Sequence, residues 1–247
     1  MTMSRPRIIV KPDTAALAES AAQNLVARAR ENTGEPAICL TGGSTPKRLY
    51  QLLAAPEWRD QLPWQRVHWF IGDDRFVPPD DGLSNIGMAR RAFLDSCAPP
   101  QNVHPIPTDA ASPDEAAWLY EQMLRDFQTR HRTDGAPLFD LVLLGVGPDG
   151  HTASLFPGDP AASETGRWAV GVPQAHVAPF VPRVSLTLPC LAQCREMLLL
   201  ASGPGKRAIL SRVFAGEDLP AARAQSTRGE TWWLIDKDAA PEPRDAR

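Results

Sequence analysis

Residues 139–158 read Phe-Asp-Leu-Val-Leu-Leu-Gly-Val-Gly-Pro-Asp-Gly-His-Thr-Ala-Ser-Leu-Phe-Pro-Gly, and we expect the chemistry of the protein to take place in the second half of this stretch. It begins with a mainly apolar run, 139–145, that has the length and composition of a buried strand. The run opens into a glycine-rich loop that presents one acid, Asp149, and one imidazole, His151. A buried strand followed by such a loop is typical of an open α/β sheet, in which ligands bind at the carboxyl ends of the strands.

Short apolar runs alternate with helical patterns through the rest of the chain. Asp13 is a predicted N-cap for a long helix that ends at Gly34, and Ser112 followed by Pro113 predicts a second long helix that ends near His131. Further helices are predicted at 46–53, 84–96 and 206–215. The predicted strands are 7–10, 37–41, 67–72, 139–145, 168–172, 184–188, 197–201 and 231–235. This alternation predicts a mostly parallel sheet with helices on both faces.

The composition suits one large α/β domain, 1–247, whose polar end, 236–247, we expect to be a flexible tail. The net charge is −3, whereas a nucleic-acid-binding surface usually leaves a basic excess, so no nucleic-acid partner is expected. The first apolar run, Ile8–Val10, is too short for a signal peptide, and no run approaches the roughly 18 residues of a membrane span. We therefore expect a soluble, cytoplasmic protein without membrane association, and no obligate protein partner is implied.

Four cysteines are scattered along the chain, at Cys39, Cys97, Cys190 and Cys194. The spacing of the last two would place them on one helix face, which raises the possibility of a metal site. No further cysteine or histidine stands beside them at ligand spacing. We therefore expect neither structural zinc nor a disulfide framework.

A second glycine-rich loop lies between a predicted strand and a predicted helix, and it consists of Gly42, Gly43, Ser44 and Thr45. Two glycines allow the backbone to approach a ligand closely, and the free N–H groups of a helix start favour an anion. An ordinary tight turn with a capping hydroxyl is the alternative. The loop follows neither the Walker nor the Gly-x-Gly-x-x-Gly pattern, so the ligand we expect is a sugar phosphate and not a nucleotide.

Asp73 and Arg75 flank Asp74 at the end of the predicted strand 67–72. Taken alone, these residues indicate a surface charge cluster, but their position at a strand end favours a functional site. Two further cations, Arg183 and Lys206, stand near element ends, and neither is specific alone.

His151 differs from the other four histidines because glycines surround it at a strand exit. The ordinary pKa of an imidazole, about 6.5, suits proton transfer near neutrality. We expect the remaining histidines to be structural, at His68, His104, His131 and His176.

These motifs, in their order and spacing, resemble the 6-phosphogluconolactonases. The resemblance spans about residues 37 to 210. The motifs are 42–46, 73–75 with Ser84-Asn85, 149–158, Arg183 before 185–187, and Gly205-Lys206. It implies a Rossmann-like three-layer α/β/α sandwich without a nucleotide cofactor and without a required metal. One departure is Asp74, where the family commonly has Glu, so a shorter acid fills that role in this chain.

The resemblance implies hydrolysis of 6-phospho-D-glucono-1,5-lactone. His151 would then take a proton from water and later return it to the ring oxygen, while Asp149 would orient the imidazole. The resemblance places Asp73 and Arg75 beside the lactone, where Arg75 would serve either the carbonyl oxygen or the phosphate. The phosphate would lie on the backbone of the glycine-rich loop near Lys206, with Arg183 as a further contact.

Two other functions remain open from the sequence. An aminosugar-phosphate isomerase or deaminase shares the fold and an Asp-Gly-His loop, but its sequence continues differently after the histidine. A non-catalytic sugar-phosphate sensor usually carries an appended DNA-binding or partner domain, for which this chain has no spare length. The residues after His151 and the presence of Arg75 favour the lactonase.

Overall fold

The computed structural model describes residues 6–132 and 135–242, which form strands and helices in close alternation. The strands are β1 (Arg7–Lys11), β2 (Ala37–Leu40), β3 (His68–Ile71), β4 (Asp73–Arg75), β5 (Val103–His104), β6 (Phe139–Gly145), β7 (Ala169–Val172), β8 (Arg183–Leu186), β9 (Cys194–Ala201) and β10 (Glu230–Asp236). The helices are α1 (Thr14–Glu31), α2 (Ser44–Ala54), α3 (Pro56–Arg59), α4 (Asn85–Ala89), α5 (Asp95–Cys97), α6 (Pro113–His131), α7 (Leu188–Leu191), α8 (Arg207–Phe214) and α9 (Pro220–Arg223).

Seven strands form one parallel sheet in the order β1-β10-β9-β6-β2-β3-β5. From the edge strand β1 the chain crosses to β2 at the centre and winds outward through β3 to β5. It then returns to β6 beside β2 and winds the opposite way through β9 to β10. The loops after β2 and β6 therefore diverge, and a crevice opens between them at the carboxyl ends of the strands. The predicted mostly parallel α/β sheet is confirmed.

The central strands are buried on both faces, which explains why they are almost continuously apolar. Every residue of β2 and β3 is buried, and so are six of the seven residues of β6. Burial of this kind is the main stabilising term of the sheet. It also fixes the position at which the loop after β6 leaves the core.

Three helices begin at the residues that the sequence predicts. The side chain of Asp13 accepts a hydrogen bond from the backbone N–H of Ala16, and Ser84 caps α4 in the same way. Ser112 accepts from the N–H of Glu115, whose own carboxylate reaches back to the N–H of Ala111. These local capping bonds satisfy N–H groups that a helix start otherwise leaves free.

The first long helix ends three residues earlier than predicted, at Glu31 and not at Gly34. Asn32 leaves the helical backbone conformation because its amide donates to both carboxylate oxygens of Asp140, at 3.1 and 3.0 Å. The side-chain oxygen of Asn32, Oδ1, then accepts a hydrogen bond from the backbone N–H of Gly34 at 2.9 Å. A tertiary contact therefore ends this helix. The helix predicted at 84–96 is also not uniform, since a π-helical turn, Arg90–Leu94, interrupts it.

A second, three-stranded sheet was not predicted. β4, β8 and β7 pair antiparallel in that order, apart from the main sheet. The segment of β4 was not among the predicted strands, and the strands predicted at 168–172 and 184–188 do not join the parallel sheet. The register places Asp73 opposite Ser185 and Arg75 opposite Arg183.

The predicted tail, 236–247, is described only as far as residue 242, and 243–247 lie outside the described residues. Asp236 ends β10 and is buried, where its carboxylate accepts hydrogen bonds from Thr14, Gly203 and Ala239. The first residues of this segment are thus attached to the domain.

Glu121 joins α6 to the second sheet. It is only 5% exposed, and its carboxylate accepts hydrogen bonds from Arg125, Arg167 and the backbone N–H groups of Trp168 and Ala169. Burial by itself raises the pKa of Glu121, but these donors outweigh burial and lower the pKa to about 2. The ionised carboxylate therefore stabilises the attachment of the second sheet.

We expect Glu121→Gln to lower the free energy of unfolding at pH 7 by about 1–3 kcal/mol, because charge-assisted hydrogen bonds are lost. The pKa of Glu121 is depressed from 4.5 to about 2 in the folded state, so its contribution is complete above pH 4.5 and is lost as the pH falls towards 2. Urea unfolding of both proteins at pH 7 and pH 3 measures the difference, which should shrink at pH 3. The exposed Glu19→Gln is the control, and a difference that is unchanged at pH 3 would contradict the role of the charge.

Candidate active site

A cleft of about 420 Å³ opens at the carboxyl ends of β2 and β6, where the winding of the chain reverses. Seven of the ten predicted site residues line it: Gly42, Gly43, Asp73, Arg75, His151, Arg183 and Lys206. Three predicted residues, Asp149, Ser44 and Thr45, are not part of its lining. Three of the lining side chains are cations and one is a carboxylate, so the cleft suits an anionic ligand.

His151 is held by Asp149, two residues before it. The imidazole Nδ1 lies 2.5 Å from Oδ1 of Asp149, and the same oxygen accepts from the backbone N–H of His151 at 3.1 Å. Burial raises the pKa of Asp149, but the hydrogen bond from His151 and its charge outweigh burial and hold the pKa below its usual range. Asp149 therefore holds the imidazole through Nδ1, and Nε2 is the ring nitrogen that this contact leaves free.

The imidazole of His151 packs directly against the backbone of Gly147. A Cβ atom built on this glycine would lie 2.0 Å from Cε1 and 2.1 Å from Nδ1 of His151. The backbone N–H of Gly147 also donates to the carbonyl oxygen of His151 at 2.8 Å. The glycine-rich loop therefore folds back on itself, and only a residue without a side chain fits beneath the ring.

Asp73 connects three separate parts of the chain. Its Oδ2 accepts a hydrogen bond from Oγ of Ser154 at 2.6 Å, and the backbone N–H of Ser154 donates to Oγ of Ser185 at 3.1 Å. Ser185 lies opposite Asp73 in the antiparallel sheet. These bonds attach the loop of His151 to β4 and β8, and all three residues are buried.

Arg75 and Arg183 are cross-strand neighbours whose positive charges face the same space. Arg183 donates to the carbonyl oxygens of Val177 and Pro179, and Arg75 donates to that of Leu83. Within the described residues, the buried Nε of each guanidinium has no hydrogen-bond partner. Burial lowers the pKa of Arg183, the charge of Asp73 opposes this, and the charge of Arg75 adds to it. An anion in the cleft would offset the repulsion between the two positive charges.

The glycine-rich loop after β2 contributes backbone to the cleft. Gly42 and Gly43 line it directly, and α2 begins at Ser44, two residues earlier than predicted. Ser44 and Thr45 face a neighbouring depression, where Oγ1 of Thr45 lies 2.7 Å from Oγ of Ser202. The hydroxyl groups of Ser44 and Thr45 therefore do not line the cleft, although both residues belong to the predicted phosphate loop.

Lys206 reaches the cleft from the loop between β9 and α8. Its Nζ donates to the carbonyl oxygen of Val146, in the loop after β6, at 2.6 Å. Burial lowers the pKa of Lys206, and the charge of Asp149 opposes that effect. The ammonium group is thus held beside the loop that carries His151.

Asp74 does not line the cleft and is fully buried. Its carboxylate accepts hydrogen bonds from the backbone N–H groups of Asn85 at 2.6 Å and Ile86 at 3.0 Å, and from Oγ of Ser84 at 3.2 Å. Burial raises its pKa to about 6, and the backbone donors oppose this rise. Its role in this structure is to bind the N–H groups at the start of α4. The aspartate side chain, which is shorter than that of glutamate, reaches these groups directly.

Two residues at the site were not among the predicted candidates. Ser154 bonds to Asp73, and Asn85 lines the cleft with a side chain that is only 3% exposed. Both residues belong to motifs quoted in the sequence analysis, so their positions could be identified from the sequence. Their contacts could not, because each partner is distant in sequence.

The other four histidines lie outside the lining of the cleft. His68 and His104 stack on each other, with Nδ1 of the first 2.8 Å from Nε2 of the second. His176 lies 3.1 Å from Oδ2 of Asp159. In the part of the chain that the structure describes, no group of three or more His, Cys, Asp or Glu side chains is arranged to hold a metal ion, and no helix is long and apolar enough to cross a membrane.

The fold and the cleft define a class of α/β enzymes. In this class an imidazole bonded to an aspartate lies in a positively charged crevice, at the place where the winding of a parallel sheet reverses. Residues 12–233 match the model of the family described as glucosamine-6-phosphate isomerases/6-phosphogluconolactonase. The chain belongs to this family.

Relatives and solved structures agree with the family model. A 6-phosphogluconolactonase of Mycobacterium tuberculosis is 40% identical over 244 residues, which cover 94% of this chain and 96% of that protein. The structure of 6-phosphogluconolactonase from Trypanosoma cruzi superposes with a TM-score of 0.82 at 31% identity, over 97% of this chain and 98% of that chain. A monomeric glucosamine-6-phosphate deaminase is 19% identical with a TM-score of 0.80, over 94% of this chain and 98% of that chain, which shows a shared fold.

We expect Gly147→Ala to reduce kcat by at least about tenfold, because its Cβ would occupy the place of the imidazole. Steady-state kinetics on 6-phosphogluconolactone, the substrate that the names of the relatives imply, measures the effect. Gly82→Ala is the control, since a Cβ there meets nothing within 4 Å. Unchanged turnover in Gly147→Ala would show that the position of the His151 ring does not matter for the reaction.

Proposed function

We propose that this protein hydrolyses 6-phospho-D-glucono-1,5-lactone to 6-phospho-D-gluconate, the second step of the oxidative pentose phosphate pathway. The observation that carries the proposal is the cleft, in which an acid-held imidazole and three cations surround one small polar space. Relatives named 6-phosphogluconolactonase, at 40% identity over most of the chain, support the same substrate.

His151 is the proposed general base. With the proton on Nδ1 directed to Asp149, Nε2 takes a proton from water while the water oxygen attacks the carbonyl carbon of the lactone. The ring C–O bond then breaks, and the imidazolium returns the proton to the departing ring oxygen. Proton transfer by a positioned side chain contributes about 10²–10⁴-fold in rate.

The cations divide between the two ends of the substrate in this proposal. Arg75, on the same strand as Asp73, stabilises the negative charge that develops on the carbonyl oxygen. A donor aimed at such an oxyanion contributes roughly 2.7–4 kcal/mol. The phosphate binds the backbone of Gly42 and Gly43 and the ammonium group of Lys206, and Arg183 adds positive charge to the same space.

The proposal includes a cytoplasmic location, because the charged phosphate group of the substrate would keep the substrate in the cytoplasm. All four cysteines are free thiols, as is usual in a reducing compartment. The protein requires no nucleotide cofactor or metal for the mechanism proposed, because the base and the oxyanion donors are side chains.

We expect His151→Ala to lower kcat by at least about 10²-fold while 6-phosphogluconate still binds. Proton release on adding fresh lactone, corrected for spontaneous hydrolysis, measures the rate. His176→Ala is a matched control, because that residue also pairs with an aspartate but lies outside the cleft. Near-normal turnover in His151→Ala would remove this residue from the role of base.

The same assay separates the alternatives. Release of ammonia from glucosamine 6-phosphate without lactone hydrolysis would identify a deaminase. Binding of 6-phosphogluconate without any acceleration of lactone opening would identify a sensor.

We expect Lys206→Ala to raise the KM for the lactone by about tenfold or more and to change kcat less, because a binding charge is lost. Initial rates over a range of lactone concentrations measure both constants. The exposed Lys237→Ala is the control for a change of net charge alone. A KM equal to that of the wild type would show that Lys206 does not contact the phosphate.

A further inference from the structure

Asn85 is one of the residues that line the cleft. Its side chain is 3% exposed and lies flat against the glycine-rich loop, so that a Cβ on Gly42 would be 2.1 Å from its Oδ1 and 2.7 Å from its Nδ2. On its other side, Nδ2 donates to the backbone carbonyl oxygen of Asp73 at 2.9 Å. The amide thus contacts both Gly42, in the loop proposed to bind the phosphate, and Asp73, on the strand proposed to lie beside the lactone.

The orientation of this amide is well determined by its surroundings. The N–H of Asn85 and that of Ile86 are bound by the carboxylate of Asp74, and Ser84 caps the same helix start. Since Nδ2 is used by Asp73, Oδ1 is the free end of the amide. It accepts no hydrogen bond from any of the described residues. A rigidly held acceptor that lines a cleft is suited to recognise a donor on the ligand.

The carboxylate of Asp73 adds a second acceptor beside it. Its Oδ2 is taken by Ser154, whereas Oδ1 has no donor within the described part of the chain. Two acceptors at this position match the hydroxyl groups of a sugar ring, which lie between the phosphate and the carbonyl carbon. Neither acceptor would stabilise a ligand that lacks those hydroxyls.

We infer that Asn85 is a specificity-determining residue whose Oδ1 accepts a hydrogen bond from a ring hydroxyl of the sugar lactone. This inference rests on the proposed function. Asn85 selects polyhydroxylated lactones, and Gly42 is required because any side chain there would displace the amide.

The test is a comparison of kcat/KM for 6-phosphogluconolactone and for its 2-deoxy, 3-deoxy and 4-deoxy analogues. In the wild type we expect at least one deoxy analogue to be about tenfold poorer than the full substrate. Asn85→Ala should lower kcat/KM for the full substrate by about tenfold and leave that analogue within about twofold. The variant therefore loses the discrimination, and a merely structural role would not produce this selective loss.

Asn102→Ala is the matched control. Asn102 is also a buried asparagine whose Nδ2 donates to a backbone carbonyl oxygen, that of Gln65, but it lies outside the cleft. An equal loss of kcat/KM on all substrates in Asn85→Ala would overturn the inference. A kcat/KM that is unchanged on all substrates, so that the preference stays the same, would overturn it as well. Failure of the proposed function is distinguishable, because the wild type would then accelerate the opening of none of the lactones.

Asn85→Asp serves if Asn85→Ala does not fold, as judged by thermal unfolding. Aspartate keeps the shape and the acceptor at Oδ1 but lacks the donor to Asp73. We expect a lower kcat/KM on every substrate, because of the added negative charge, with the preference for the full substrate retained. Loss of that preference in Asn85→Asp would show that the amide donor is what matters and would overturn the inference.

Discussion

The hydrogen bond from Ser154 to Asp73 is the contact on which the site depends. It attaches the loop after β6 to the second sheet at a donor–acceptor distance of 2.6 Å, between two buried groups. Together with the bond from the N–H of Ser154 to Ser185, it holds the loop that carries His151 against the strand that carries Arg75. Because the pair is shielded from water, leaving either partner unsatisfied would be costly, and the arrangement is held firmly.

The charges of the cleft are held in place by contacts within the protein. Arg75 and Arg183 face each other across two strands, each with a buried Nε that lacks a partner among the described residues. The two neighbouring positive charges repel each other, and a bound anion would offset that repulsion. Donors that are already in place need no reorganisation when negative charge develops, and this is the main source of electrostatic catalysis.

Much of the fold could be predicted because its signals are local. The apolar run of β6, the caps at Asp13 and Ser112, and the glycines around His151 each act within a few residues. The predictions that were wrong concern partners distant in sequence. The end of α1 depends on Asp140, more than 100 residues away, and the second sheet depends on the pairing of β4 with β8. No local pattern encodes such a partner.

The sequence was enough to predict a mostly parallel sheet and two glycine-rich loops, because periodicity and short spacings specify these features. The three-dimensional structure was needed to place the hydroxyls of Ser44 and Thr45 outside the cleft, Asp74 at a helix start, and Asn85 between the loops. These facts follow from strand register and from the reversal of winding at β2 and β6, which bring distant segments to one edge of the sheet.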